Sequence, residues 1–174
     1  HEMTEWREET EMMLFYLGFA GSAFKKTYYD ALEERPVTRY IKSEDFLINY
    51  NASDLATARR YSQRYLADRN EILKRMAHGE WLQMDLAEAS DVEHNDAEDE
   101  VMRIEGRSQS ARVDDEHEIF ETHTYLDLPG YEHEDGYELP YVVTWEKDSN
   151  KILAIRRNWK EGDPKMKKRV WFTH

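Results

Sequence analysis

Apolar positions recur at helical spacing near the start of the chain and at strand spacing towards its end. Over Thr4 to Phe19, Trp6, Thr10, Met13, Leu14 and Leu17 fall on one helical face. Glu5, Glu8, Glu9 and Glu11 load the first turns with negative charge, which suits a helix N-terminus, and Gly18 and Gly21 are the expected stop. Phe24 to Asp30 and Val37 to Lys42 are aromatic and β-branched runs joined by a polar stretch ending in Arg35-Pro36. They predict a β-hairpin with a long loop. Ser43 to Ile48 leads into Asn49 to Asp54, a turn-rich stretch that predicts an ordered loop. Arg59 to Leu66 fits two states: Tyr61, Gln63 and Tyr65 alternate as in a strand, while the preceding Ala-rich run would continue as a helix. A second helix is clearer. Asp68 is placed to cap it, Glu71 to reach back to that cap, Ile72, Leu73 and Met76 to form its buried stripe, and Gly79 to end it.

The last third has period two. Phe120, Thr122, Thr124, Leu126 and Leu128 share one face of a strand, and Ile119, Glu121, His123, Tyr125 and Asp127 the other, with Pro129-Gly130 as the stop. Leu139 to Glu146 and Lys151 to Trp159 flank the four residues from Lys147 to Asn150, a tight antiparallel hairpin. Gly162, Asp163 and Pro164 turn the chain before Val170-Trp171-Phe172. Helices first and a meander afterwards predict one α+β domain over residues 1–174: N-terminal helix and hairpin, a middle capped helix, then a C-terminal antiparallel meander. Residues 80–113 are acidic and weakly patterned, a partly mobile insertion, with a short helix at Glu100 to Glu105. The first helix begins almost at once, as in an excised piece of a longer chain.

Composition narrows the function classes. A chain of 174 residues buries about 70% of its surface on folding, enough for a core without staples. Cysteine is absent, which removes thiol catalysis, disulfides, Cys-ligated zinc and iron–sulfur clusters. No run approaches the roughly 18 apolar residues of a membrane helix, so no membrane partner is expected. The net charge of −13 is zoned: residues 88–138 hold 18 acidic side chains against three arginines, and residues 147–169 hold nine basic against three acidic. An acid-rich middle repels phosphate and argues against a sequence-reading nucleic-acid binder. The basic stretch beside it would neutralise part of it, within one chain or between copies.

Candidate chemistry is sparse. Ser22 and Lys25 have the Ser-x-x-Lys spacing of serine acyl-enzymes, but neither Ser-Asp-Asn nor Lys-Thr-Gly follows, and Lys25 reads as an exposed strand position. Glu132 to Gly136 has the look of a calcium loop, yet Tyr131, His133 and Val142 would occupy the ligand positions, so a charged turn is the better reading. His117, Glu121 and His123 share a strand face. They suggest a zinc or manganese site and, as an alternative function, a small metal-dependent hydrolase; same-face neighbours stand about 7 Å apart, so other elements would have to complete the site. No catalytic residue, cofactor or metal is assigned. The positive signal is aromatic: five Trp, eleven Tyr and six Phe are more than one small core needs. Arg156, Arg157, Trp159 and Trp171 combine the residue types of buried interface centres and are the candidate subunit-interface residues. A second alternative is an acidic protein-interaction adaptor.

Two stretches carry a family resemblance. Leu17 to Asp30, followed by Arg35-Pro36-Val37 and Ser43-Glu44-Asp45-Phe46, resembles the portal proteins of tailed bacteriophages, the short-tailed group especially. So does Glu138 to Thr144, continued by Lys151 to Trp159 and Asp163-Pro164. Asn51 to Leu55 and Arg59-Arg60-Tyr61 extend the match, and residues 80–113 are the least similar. The resemblance implies an internal, wing-like portion of a subunit that forms a ring, usually of twelve copies, at one capsid vertex. The implied partners are other portal subunits, the terminase motor, the capsid, head-completion proteins, and passing double-stranded DNA without sequence readout. The implied location is the virion, with host cytoplasm during assembly. The implied role is structural, not enzymatic.

Overall fold

The computed structural model describes residues 5–86 and 116–174. Most of the expected acidic insertion, and the short helix at Glu100 to Glu105, lie outside the described residues.

Helix α1 (Trp6–Ala20) is followed by strands β1 (Phe24–Asp30) and β2 (Arg35–Ile41), a 3-10 turn at Ser43–Asp45, and β3 (Phe46–Ile48). Then come β4 (Tyr61–Asp68), α2 (Arg69–Ala77), β5 (Glu116–Leu126), β6 (Leu139–Glu146), β7 (Lys151–Arg157) and β8 (Phe172–Thr173). Strands β3 to β7 form a five-stranded antiparallel sheet in chain order, and β2, β1 and β8 a three-stranded one. This is the α+β architecture the sequence predicts. The meander begins earlier than expected, at β3. The final Val170-Trp171-Phe172 run leaves it: β8 pairs with β1, Lys26 opposite Phe172.

The small sheet packs on one face of the large one. Phe24, Ile41, Phe46, Tyr61 and Phe172 close one apolar cluster between them. Phe46 lies 4.1 Å from the Phe24 ring and 5.7 Å from that of Tyr61. A second cluster lies where α2 crosses the same face and joins Ile72 and Met76 to Ala67, Ile119 and Leu153. The two states open at Arg59 to Leu66 resolve to a strand, because β4 lies between β3 and β5 with Tyr61, Gln63 and Ala67 directed inward. On β5 the covered face is the one carrying His117, Ile119 and His123, so buried polar groups share it with the core.

Several local expectations are corrected. The β1–β2 loop is a four-residue turn, not a long loop, and Arg35-Pro36 lies within β2. Proline is tolerated there because β2 is an edge strand. Gly18 lies inside α1; Gly21 alone makes the stop, with φ of 69° and its N–H donated to the Leu17 carbonyl. Asp68 does cap α2, accepting from the Glu71 amide at 2.7 Å, but the Glu71 side chain turns to Arg75 at 2.9 Å instead of returning to the cap. Leu73 is exposed and outside the buried stripe.

Helix α1 departs most from its pattern. Met13 is buried, while Trp6, Leu14 and Leu17, expected beside it, are exposed. The helix is held by polar contacts along the edge of β2. Glu9 accepts from the Tyr40 backbone N–H at 2.5 Å, and Glu5 accepts from the Thr38 N–H at 3.3 Å while gripping Arg35 at 2.9 and 3.0 Å. An open edge strand is a template for unwanted pairing, and these carboxylates occupy its donors. The acidic first turns therefore bind an edge strand, and the apolar side chains are displaced outward. No described helix is long and apolar enough to cross a membrane.

Candidate functional site

The polar row on β5 separates into two arrangements. At the α2 end, His117 Nδ1 lies 2.8 Å from Glu146 Oε1, and both side chains are fully buried. The other Glu146 oxygen accepts from the Ser149 amide at 3.0 Å and from the Ser149 hydroxyl. His117, Glu146 and Asp148 each bring one ligand atom within 4.8 Å of the others, a potential cation set at the base of the β6–β7 hairpin. At the opposite end, Glu121 accepts from Lys26 Nζ of β1 at 2.7 Å and lies 2.8 Å from His123 Nε2. His117 and His123 stand six residues apart on one strand, about 20 Å, so they do not form a single metal site. Neither imidazole is reachable from solvent, with 0% and 1% exposure.

The His123 network joins three parts of the chain. Asn158 Nδ2 lies 3.3 Å from His123 Nδ1 and donates to the Arg169 carbonyl at 3.2 Å, while its oxygen accepts from Trp171 Nε1 at 2.8 Å. The pattern requires a neutral imidazole with its proton on Nε2, donated to Glu121, and a lone pair on Nδ1 facing the Asn158 amide. Burial lowers the His123 pKa, Glu121 opposes that, and Lys26 and Lys168 add to it. Glu121 is held far below the usual carboxylate range: its burial acts upward, but the Lys26 ammonium and the His123 bond outweigh it.

A pH prediction follows from the sign of the histidine shift. The unfolded chain takes up a proton near pH 6.5 while folded His123 resists it. The stability it contributes is therefore present above that pH and lost as pH falls. Urea unfolding should show stability dropping below pH 6.5 by up to about 1.4 kcal/mol per pH unit, the slope of one proton. His123→Gln should flatten that part of the profile; an unchanged slope in the variant would assign the proton elsewhere.

The four candidate interface residues have different roles. Trp171 is half-buried, bonded to Asn158, with the Arg169 guanidinium 4.0 Å above its ring. It packs within the chain. Trp159 meets the Tyr141 ring edge-on at 5.4 Å, and the exposed Arg157 lies 5.8 Å over it. Arg156 is exposed, donates to the Glu80 carbonyl at 3.0 Å and lies 3.7 Å from the Glu80 carboxylate. The charge zones meet partly inside the chain, through Lys147 on Glu118, while each also pairs with residues outside them, Glu138 with Arg59 and Arg156 with Glu80. Lys25, expected to be exposed, is buried: it donates to Thr10 at 3.0 Å beneath the Trp6 ring, and Ser22 contacts His174 instead. Glu132 to Gly136 is the charged turn expected, with His133 stacked on Tyr137.

Compared with known proteins, the chain matches no family model and no curated sequence.

Two features escape sequence reasoning. The outer side of α1 carries Met12, Phe15 and Phe19, with Phe19 77% exposed. The available signal is the unbroken apolar run from Met12 to Leu17, wider than one helical face needs. Arg75, which links Asp30, Glu71 and Glu80, has no sequence signal beyond its spacing from Glu71. The uncovered face of the large sheet holds an open groove of about 430 Å³ bordered by Leu47, Ile48, Arg60, Phe120 and Trp145.

Proposed function

We propose that this chain is a wing-like structural module of a phage portal subunit, building a ring through which double-stranded DNA passes during packaging and ejection. The family reading comes from the residues over Leu17 to Asp30 and Glu138 to Trp159. The observation that carries the assembly reading is the outward face of α1: large apolar side chains stand in solvent on a folded chain, as a subunit awaiting neighbours requires. Buried ion pairs support it as structural ties, Lys26 with Glu121 between the two sheets and His117 with Glu146 between adjacent strands of the large one. A net charge of −13 suits a surface that must let phosphate pass without gripping it. In this role the other partners are the terminase motor, the capsid and head-completion proteins, and the site of action is the portal vertex of the virion.

Electron microscopy of the native gene product tests the reading. Rings of many copies around an open channel are expected, and a uniformly monomeric product overturns it. The basic residues at the end of β7 are assigned to contacts with the negative surface of a neighbour. Arg156→Glu with Arg157→Glu should reduce the ring fraction at least tenfold, since like charges across a contact cost several kcal/mol. Unchanged rings on a sizing column would remove those residues from the interface.

A further inference from the structure

Two exposed surfaces of the chain are complementary and lie on different elements. The outer side of α1 presents Met12, Phe15 and Phe19 in one stripe, since positions 8, 12, 15 and 19 follow each other at three- and four-residue steps. Phe15 and Phe19 lean on each other at 5.0 Å. Glu8 heads the stripe and Glu11 flanks it, and Arg7 pairs with Glu11. The second surface is the outward strip of β7 and the residues after it. Ile152, Ile155 and Arg157 pair with Trp145, Val143 and Tyr141 and therefore project to the uncovered face of the large sheet. Trp159 continues the strip against Tyr141, with Lys160 beyond it. Ile152 and Ile155 are both exposed. One surface is apolar with an acidic border, and the other is apolar with a basic border.

We propose that the occupant of the α1 stripe is a second copy of this chain, seated through its Ile152, Ile155, Arg157 and Trp159. The inference rests on the ring reading above and names the surfaces that make the ring. Because each copy offers one of the two patches to each neighbour, the contact is head to tail. That class of contact propagates into a ring or filament and never closes as a two-fold dimer. Helix α1 suits such a contact, because its inner side is tied to β2 through Glu5 and Glu9, which leaves the whole outer side for a partner.

The test is a photo-crosslinker, p-benzoylphenylalanine, placed at the exposed Phe15 of the native gene product. Because the side chain stands in solvent, the replacement does not disturb the fold. Rings assembled from equal parts of 15N-labelled and unlabelled protein are irradiated, digested and read by mass spectrometry. The expected products join Phe15 to peptides containing residues 151–160, about half of them carrying one labelled and one unlabelled peptide. Isotopically pure crosslinks place another part of the same polypeptide over α1, and crosslinks to other peptides place a different surface there. Either result in intact rings overturns this inference and leaves the ring reading standing; the absence of rings overturns both. A charge exchange gives a second readout. Glu8→Lys with Glu11→Lys should lower the ring fraction at least tenfold, and adding Arg157→Glu should restore it. Failure of restoration in folded variants also counts against the contact.

Discussion

Arg75→Met is expected to destabilise the fold by about 3 kcal/mol, the lower end of the range for breaking a buried ion pair. The lower end applies because the Arg75 side chain is 19% exposed. Its guanidinium donates to Glu71 at 2.9 Å, to Glu80 at 2.9 Å and to Asp30 at 3.3 Å, so it joins α2 to the end of β1 and to the segment running along β7. Asp30 depends on it most, being 6% exposed at the side chain and already accepting from the Leu32 and Glu33 amides. Methionine fills similar volume and carries no charge, so three carboxylates lose their common cation. The acid limb of the stability profile should change too. Burial would raise the Asp30 pKa, but Arg75 and the turn amides hold it below the usual range. Its contribution is present above the ordinary aspartate range and lost as pH falls through the lowered value. In Arg75→Met much of that acid-dependent loss should disappear. Urea unfolding at pH 7 and pH 3.5 checks both statements; a loss under 1 kcal/mol at pH 7 would show that Glu71, Glu80 and Asp30 are solvated enough to do without the cation.

The Arg75 hub illustrates which parts of this protein are legible in its sequence. Period-two alternation from Glu118 to Trp159 yields the central hairpin of the meander almost to the residue, because each strand of an antiparallel sheet repeats one local rule. The Asp68 cap is equally local. Long-range partners are not. Glu121 is a polar strand residue until β1 brings Lys26 to it across 95 positions, and Glu5 is one more acid in a helix until β2 offers its edge amides. Helix α1 shows where periodicity alone misleads. Its apolar run points to a core face, whereas edge-strand hydrogen bonding decides its orientation and turns Leu14, Phe15 and Phe19 outward. Trp159 and Trp171 match one compositional rule yet separate in space, the first to an outward strip and the second into the Asn158 network.

That network sets the second large effect. Glu121→Ala should cost about 3–5 kcal/mol, because it strands a buried cation. Lys26, only 9% exposed at the side chain, would keep the Tyr28 ring at 4.7 Å and the Phe172 ring at 5.6 Å as partners and lose its sole described carboxylate. His123 would lose the acceptor for its Nε2 proton as well. Most of that penalty belongs to the uncompensated charge, and removing both charges tests this directly. The double variant Lys26→Met, Glu121→Ala should recover at least half of the single-variant loss, although His123 still lacks its acceptor. Additive losses in the cycle would mean that Lys26 and Glu121 act independently, against the 2.7 Å contact. Recovery would identify the pair as a tie between the two sheets whose charges answer only each other. Such a tie fixes how the α1-bearing sheet sits against the sheet that carries β7, and in the ring proposed above it would set the angle at which one copy meets the next.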